Sequence, residues 1–381
     1  MVLVELLNRN NTSLDFNSIL YRLPIDIWWY MFTVYDLDLR PLVLVCKFMR
    51  KIVGNLVFRS VYFPRPDKLR LAKRTWDLSK RNVTADILFM QIGTPHQSDT
   101  ALDYVHFRQR KRWIASWRTA SGLLSSFSRL TEIVLAGAVL PSDFGKGLSL
   151  LIHLRNLEVK RCCCEGVAHF SDVNLPLRRL RLEMICWHDQ NQDLDVICSC
   201  DRLVSLSVAW HSTIGNEWVW MDRNLPTTVE ELSVSASQSF WSNTSPLDSD
   251  TMSCLFTFLQ QFPKLRILTL PKGMGCMMRN SDKQCSFGYN IEHYCGPIRF
   301  IRHIASKSTL LMNIHLVNHC FYTIRVDEDL PDDLVVENFH LDITIWDPKS
   351  IEILMKKISC VKRLSLKWDW LPRNIVSVLP A

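Results

Sequence analysis

The chain has 381 residues, 48% hydrophobic and 22% charged, a composition typical of a folded protein rather than a disordered one. Twelve glycines are too few for glycine-rich phosphate loops to be its organising theme. Thirteen scattered cysteines and an N-terminus without a basic, long apolar leader favour reduced thiols inside the cell. No uncharged apolar stretch is long enough to span a bilayer, so we expect no membrane span and a cytoplasmic or nuclear protein.

The N-terminal part of the chain has a different pattern from the rest. Residues 1–20 form an extension, and residues 21–63 read as two short amphipathic helices. Leu23-Pro24 opens the first helix, because proline suits the first helical position. The apolar positions of the two helices are Ile27, Met31, Phe32 and Tyr35, then Leu42, Val45, Cys46, Met49, Ile52 and Val53. Two such helices cannot bury their apolar faces alone, so they need the downstream domain or a partner.

Residues 23–53, LPIDIWWYMFTVYDLDLRPLVLVCKFMRKIV, resemble an F-box. The shared features are the Leu-Pro start, an acid two residues after the proline, an aliphatic ladder, an Asp-Leu that opens the second helix, and Val-Cys-Lys within it. The sequence departs from the family in three places. The loop between the helices is one residue shorter, Tyr35 stands where leucine is common, and Met49 stands where tryptophan is common.

The resemblance implies docking on a Skp-family adaptor and, through it, on a cullin–RING (SCF-type) ubiquitin ligase. It also implies that the adaptor-facing or supporting surface consists of Leu23, Pro24, Ile27, Met31, Phe32, Leu42, Val45, Cys46 and Met49. F-boxes joined to leucine-rich repeats are a known arrangement, and the chain is also similar to divergent F-box proteins of fungi. The alternative is that these helices only cap the exposed hydrophobic end that every solenoid must cover.

Residues 64–120 form a basic connecting segment that carries the whole excess of positive charge. They contain twelve Lys or Arg and five Asp or Glu, a difference of seven, and the net charge of the chain is +7. The stretch HFRQRKRWIASWR combines basic side chains with Trp113 and Trp117. It is compatible with a nuclear import signal, a nucleic-acid contact or a phosphate-rich partner, and equally with solvated surface. Nucleic-acid binding is the third hypothesis for function.

Residues 121–381 repeat the pattern apolar-x-x-apolar-x-apolar, which is typical of the strand of a leucine-rich repeat. The nine matches are Leu130/Ile133/Leu135, Leu154/Leu157/Val159, Leu177/Leu180/Leu182, Leu203/Leu206/Val208, Val229/Leu232/Val234, Leu265/Leu268/Leu270, Leu311/Ile314/Leu316, Val336/Phe339/Leu341 and Val361/Leu364/Leu366. Six of the eight steps between them fall within the usual period of such repeats. Chance alternation in unrelated strands is the competing explanation. We predict an α/β solenoid of irregular leucine-rich repeats, preceded by the small helical module.

Two steps, from Val229 to Leu265 and from Leu265 to Leu311, are longer than the period and imply insertions. The second also has room for one degenerate unit. The stretch 272–297 reads as a loop that leaves the solenoid. Residues 247–265 and 347–364 have the pattern of amphipathic helices with Asp caps. The asparagine that follows the strand in regular repeats is mostly missing, which makes the solenoid irregular.

The residues between the buried positions of a solenoid strand face outward in rows. Here these rows are polar and mixed in charge, which suits protein recognition and also suits a merely solvated face. Tryptophans after strand ends are candidate anchors, because aromatic side chains are enriched in binding hot spots, although they suit packing equally. The candidate substrate contacts are Glu158, Arg179, Arg181, Glu183, Trp210, Glu231, His315, His340, Asp342, Trp346, Lys367 and Trp368.

The sequence contains no common catalytic motif. It has no phosphate-binding GxxxxGKS or GxxxxGKT, no HExxH or GxSxG, and no GxGxxG after a strand. Two sets of residues come nearest to a zinc site: Cys198 and Cys200, and then Cys276, Cys285, His293 and Cys295. Their spacing is not that of a structural zinc site, and the triple cysteine 162–164 reads as packing. We therefore expect no enzyme activity, no cofactor and no bound metal.

These patterns together predict a non-catalytic adaptor. Its F-box would dock on a Skp-family adaptor, and its repeats would hold a target protein for an SCF-type ubiquitin ligase. The alternative is a stand-alone leucine-rich repeat scaffold whose N-terminal helices form only a cap.

Overall fold

The computed structural model describes the strands of one large sheet and part of their connections. The described residues are 27, 60–63, 65, 67–68, 71, 89–93, 112, 114–115, 124, 127–164, 173–183, 192–210, 223–236, 255–271, 290–305, 311–318, 330–332, 334–345 and 348–370. Of the nine predicted adaptor-facing residues, eight lie outside the described residues and only Ile27 lies within them. None of the helices in these ranges is long and apolar enough to cross a membrane.

Twelve parallel strands form one open sheet. With the two strands of a second, small sheet, the described strands are β1 (Ser60–Phe63), β2 (Phe89–Gly93), β3 (Glu132–Ala136), β4 (Val139–Leu140), β5 (Asn156–Lys160), β6 (Cys163–Cys164), β7 (Arg179–Glu183), β8 (Ser205–Trp210), β9 (Glu231–Ala236), β10 (Ile267–Thr269), β11 (His293–Gly296), β12 (Asn313–Asn318), β13 (Leu334–Ile345) and β14 (Ile358–Trp370). Apart from β4 and β6, which pair with each other, the strands lie in the sheet in chain order. A sheet that adds one parallel strand per unit is a solenoid-like α/β arrangement, so the predicted fold class is confirmed at this level.

Short helices lie between the strands. They are α1 (Phe144–Ser149), α2 (Gln192–Cys198), α3 (Ile301–Ala305) and α4 (Pro348–Lys357), with a 3-10 helix at Ile298–Phe300. Residues 255–259 are also helical, inside the stretch predicted as an amphipathic helix. The other predicted helix, 347–364, is wrong in its second half. It ends at Lys357, and the chain continues directly as β14, because residues from Ile358 onward pair with β13.

The apolar pattern of the repeats is in register from strand to strand. The central apolar positions that align are Ile133, Leu157, Leu180, Leu206, Leu232, Leu268, Tyr294, Ile314, Phe339 and Leu364. All but Leu364 are buried, and Leu364 belongs to the edge strand β14. Burial of each such side chain stabilises the fold by about 2 kcal/mol. One continuous core therefore runs beneath the whole sheet.

All nine strands predicted from the repeat pattern are present, and the sheet contains three more, β1, β2 and β11. Strand β1 lies at the end of the predicted helical module 21–63 and β2 lies within the predicted connecting segment 64–120, so the sheet begins earlier in the chain than residue 121, the predicted start of the solenoid. Strand β11 lies between β10 and β12, so the long step from Leu265 to Leu311 contains one degenerate unit. The predicted loop at 272–297 is therefore wrong for its last residues, and residues 272–289 lie outside the described part of the chain.

The repeat pattern did not predict strand β11, because Tyr294 and Gly296 replace two aliphatic residues of that pattern. Tyr294 occupies the central apolar position and is fully buried, and its hydroxyl donates to the carbonyl oxygen of Pro297 at 2.7 Å. A Cβ atom on Gly296 would lie only 2.7 Å from that hydroxyl oxygen and 3.1 Å from Cβ of Leu270. The tyrosine ring thus takes the space that the third aliphatic side chain fills in other units.

Strand β2 approaches β3 unusually closely at its end. Gly93 has a φ of +88°, in the left-handed region that favours glycine. A Cβ atom there would lie 1.7 Å from the carbonyl oxygen of Ala136. Only glycine therefore allows β2 to pair with β3 along its full length.

Candidate functional site

The sheet presents one polar surface. In β5, Leu157 and Val159 are buried, whereas Asn156, Glu158 and Lys160 between them are partly exposed. Because side chains alternate across a strand and the strands are in register, the exposed positions form continuous rows. We call the surface formed by these positions on β5 to β14 the polar face.

Four charged side chains on β5 and β7 form a neutral group, which we call the charged block: Glu158, Lys160, Arg181 and Glu183. The register places Glu158 beside Arg181 and Lys160 beside Glu183. Arg181 lies 3.1 Å from a carboxylate oxygen of Glu183 and 3.6 Å from one of Glu158, and Lys160 also pairs with Glu158. Two positive and two negative charges thus cancel within the block. Such partly exposed pairs contribute little to stability, so this end of the face is suited to polar contacts with a partner.

The middle of the polar face carries small hydroxyl side chains. They are Ser205, Ser207, Ser233, Ser235 and Thr269, on β8 to β10. Glu231 adds a carboxylate on β9. Because these side chains are short, a partner can approach the strand backbone here more closely than at the charged block.

A row of amides follows on β12 to β14. Asn313, Asn338 and Arg363 are direct neighbours across these strands. The Asn338 amide nitrogen donates to the Asn313 side-chain oxygen, and Arg363 Nε donates to the Asn338 oxygen at 2.5 Å. These bonds fix the orientation of the amides. The remaining guanidinium N–H groups of Arg363 have the geometry that suits a carboxylate or phosphate.

The next row and Asp342, two residues further along β13, bring together two imidazoles, a carboxylate and a thiol. We call this group the histidine cluster: Cys295, His315, His340 and Asp342. Cys295, His315 and His340 align across β11, β12 and β13. The Asp342 carboxylate lies between the imidazoles, with Oδ2 3.2 Å from His315 Nε2 and Oδ1 2.8 Å from His340 Nε2. The two rings are edge to face, with centroids 4.2 Å apart.

The charge of Asp342 is stabilised within this cluster. Partial burial raises the pKa of its carboxyl group, but hydrogen bonds from His340 and His315 outweigh that effect and hold the pKa below its ordinary value. The carboxylate is therefore ionised at neutral pH. Its side chain is 20% exposed, against 33% for His340 and 40% for His315, so the cluster is open to solvent on one side.

Ion pairs also line the edge of the sheet where the strands begin. Arg266, which precedes β10, makes two bonds to the Glu292 carboxylate, at 2.8 and 2.6 Å. These hydrogen bonds lower the pKa of Glu292. Lys362 similarly contacts Glu337 at 2.6 Å. These pairs connect consecutive units and are structural.

The cysteines of the first units are packing residues. Cys162 is buried, and burial raises the pKa of its thiol to about 12. Cys200 is buried as well; its thiol, also with a pKa raised by burial to about 12, donates to the Val196 carbonyl oxygen at 3.1 Å. Both thiols remain protonated at neutral pH and are inert as nucleophiles or metal ligands.

The structure places most of the candidate substrate contacts on the polar face. Glu158, Arg181 and Glu183 meet in the charged block, and His315, His340 and Asp342 meet in the histidine cluster. Lys367 is the register neighbour of Asp342 on β14. The others on described strands belong to neither group: Arg179, Trp210, Glu231 and Trp368. Of Trp210 and Trp368 only the backbone is described, and Trp346 lies outside the described residues.

The contact of both histidines with one carboxylate, and the position of Cys295 in the same row as the histidines, were not predicted from the sequence. The signal for the first was available, because His315 and His340 occupy the same position in consecutive repeats. The signal for Cys295 was hidden, because β11 does not match the repeat pattern.

Comparison with known proteins assigns no family to the chain. No family model matches the sequence, and no curated protein matches it significantly.

Proposed function

We propose that this protein is the substrate-recognition subunit of an SCF-type cullin–RING ubiquitin ligase in the cytoplasm or nucleus. The part of the predicted module 21–63 that precedes strand β1 would act as an F-box that docks on a Skp-family adaptor, and the polar face would bind the target protein. The protein would form no bonds itself; it would hold the target near the ubiquitin-charged partner enzyme, so that transfer becomes a matter of proximity.

The observation that carries the proposal is the F-box resemblance at the start of a chain whose strands repeat in register. Ile27, a predicted adaptor-facing residue, is helical and 44% exposed. A single exposed aliphatic side chain is ordinary on a protein surface, but at this position it is available for contact with an adaptor.

The polar face supports the second half of the proposal. It is long, because nine strands of the sheet from β5 to β14 carry it in chain order. It combines the neutral charged block, a row of hydroxyls, the fixed amides and the histidine cluster. Such varied donors and acceptors, held rigidly on strands, are suited to a specific protein partner rather than to a uniform polyanion.

The direct test is capture of a purified Skp-family adaptor by the full chain. We expect wild type to retain the adaptor and Leu23→Ala/Pro24→Ala to lose it, because truncation of buried interface anchors costs more than about 1 kcal/mol each. The matched control is Ile152→Ala, which removes an exposed aliphatic side chain from the turn before β5 and should not affect capture. Absence of capture by folded wild-type protein would leave the scaffold alternative in its place.

A second test separates target binding from adaptor binding. Arg181→Glu breaks the neutrality of the charged block and adds a negative charge at a half-exposed position. We expect it to leave adaptor capture unchanged and to reduce ubiquitination of the target in cells. Equal loss of both activities would contradict the division of labour between the N-terminal module and the polar face.

A further inference from the structure

The histidine cluster contains three groups that commonly ligate transition metals. His315, His340 and Asp342 each offer one ligand atom, and these atoms all lie within 4.8 Å of one another. They come from two adjacent strands, so the backbone that carries them is fixed by the register of β12 and β13. A site built on paired strands holds its ligands more rigidly than a site built on loops.

The separations within the cluster are close to those of a coordination shell. In a tetrahedral zinc site with bonds of about 2.1 Å, ligand atoms lie about 3.4 Å apart. The two imidazole-to-carboxylate distances are 3.2 and 2.8 Å. These distances run to different carboxylate oxygens, Oδ2 for His315 and Oδ1 for His340, so rotation of the partly exposed side chains must bring both nitrogens and one oxygen around the ion.

We propose that His315, His340 and Asp342 form a binding site for a zinc ion on the polar face. Two imidazole nitrogens and one carboxylate oxygen supply three ligands, and the fourth position faces solvent, where water or a side chain of a bound protein completes the shell. Three protein ligands with one open position is the arrangement of zinc sites that bind water or a further ligand, rather than of closed structural ones. The spacing of the cysteines and histidines in the sequence predicted no bound metal. Zinc binding at this site would not depend on the proposed ligase function.

The position of Cys295 supports this assignment. Its sulfur lies 3.6 Å from His315 Nδ1, on the side of the ring opposite Asp342. When Nε2 of a histidine binds a metal, Nδ1 carries the proton and usually donates it to an outer partner that fixes the ring. Cys295 is placed to accept this hydrogen bond. It is therefore an outer partner of the site and not the fourth ligand.

The competing explanation is a carboxylate that simply accepts an N–H from each imidazole. In that arrangement both Nε2 atoms carry protons, and zinc binding must displace them to Nδ1 or to solvent.

The surrounding charges make the site moderate in affinity. Lys367 and Arg363 on β14 bring two positive charges, and His293 lies on β11 on the same face. Asp342 supplies the one anionic ligand.

The test is calorimetric titration of the chelator-treated full chain with zinc chloride at neutral pH. Because the chain has 13 cysteines, background zinc binding is removed by comparing variants. We expect His340→Gln and Asp342→Asn to bind about one zinc equivalent fewer than wild type. His293→Gln, a matched control on the same face, should bind as wild type does. Equal zinc binding by all four proteins would overturn the proposal.

Two further measurements keep the test decisive if a variant is unstable. Cys295→Ala should keep the site but weaken zinc binding about tenfold, as expected for loss of an outer partner. In wild-type protein, zinc should protect His315 and His340 from carbethoxylation, whereas exposed His153 should react equally with and without the metal. Unchanged reactivity of His315 and His340 in the presence of zinc would overturn the proposal without any variant.

Discussion

The charged block and the histidine cluster occupy equivalent positions at two places on the polar face, yet they behave differently. In both, neighbouring strands in register bring side chains from consecutive repeats into contact. In the charged block every charge has an opposite neighbour, so the group neutralises itself. In the histidine cluster one carboxylate serves two imidazoles, so the group retains the capacity to bind a cation. The register of the repeats determines which side chains are neighbours, and the chemical nature of those side chains determines how they interact.

The largest losses of stability should come from substitutions in the apolar core beneath the two groups. Leu180 lies beneath the charged block and Ile314 beneath the histidine cluster, and both are 2% exposed. We expect Leu180→Ala and Ile314→Ala each to lower the free energy of unfolding by about 2–5 kcal/mol, since both leave a cavity in one continuous core. Chemical denaturation measures this. A loss below about 1 kcal/mol at either position would show that the two places do not share one core.

The stability of the repeat unit that contains β11 should depend on the hydroxyl group of Tyr294. Tyr294→Phe removes the buried hydrogen bond to the Pro297 carbonyl and should cost about 1 kcal/mol, measured as a lower thermal midpoint. Tyr62→Phe is the control, because Tyr62 is more than half exposed. Equal, negligible effects of both changes would show that β11 is not held by Tyr294.

The charged block should contribute less to stability. Arg181→Ala removes two ion pairs in which the guanidinium is 49% exposed, and we expect a loss of less than about 1 kcal/mol. The loss should shrink further at high salt, since screening weakens exposed pairs. A larger, salt-independent loss in denaturation experiments would mean that Arg181 is packed rather than paired.

The smallest effect should be a pH-dependent contribution to stability from Glu292, which lies directly before β11. Hydrogen bonds from Arg266 lower the pKa of Glu292, so this carboxylate stabilises the folded state above its ordinary pKa of 4.5. The contribution is lost as pH falls below 4.5 and through the lower pKa of the folded protein. The difference in thermal midpoint between wild type and Glu292→Gln should therefore be constant at neutral pH and vanish in acid. A difference that grew in acid would contradict this sign.

The sequence predicted the repeating strands well, because their apolar pattern follows from burial on one side of each strand. It did not predict β11, because the ring of Tyr294, held by a hydrogen bond and placed beside Gly296, fills the core space that two aliphatic side chains fill in the other strands. It did not predict β2, although Met90 and Ile92 are buried and align with Ile133 and Leu135, because residues 64–120 were interpreted from their charge as a basic connecting segment. It extended the helix of 347–364 too far, because the switch to β14 depends on pairing with β13.

The candidate site was predictable in composition but not in contacts. The repeat pattern identified His315, His340 and Asp342 as outward residues. Their hydrogen bonds depend on side-chain rotation and on which atoms face each other, and neither property is encoded in the spacing of repeats. The predicted docking residues of the F-box remain a prediction, since all but Ile27 lie outside the described part of the chain.

The central claim is that the N-terminal module binds a Skp-family adaptor independently of the polar face. Calorimetric titration of the purified adaptor into the full chain tests it most directly, with Leu23→Ala/Pro24→Ala and Arg181→Glu as the two variants. We predict a one-to-one complex with wild type, the same affinity with Arg181→Glu, and at least about tenfold weaker binding with the N-terminal variant. No heat of binding with folded wild-type protein, or equal affinity of all three proteins, would contradict the account.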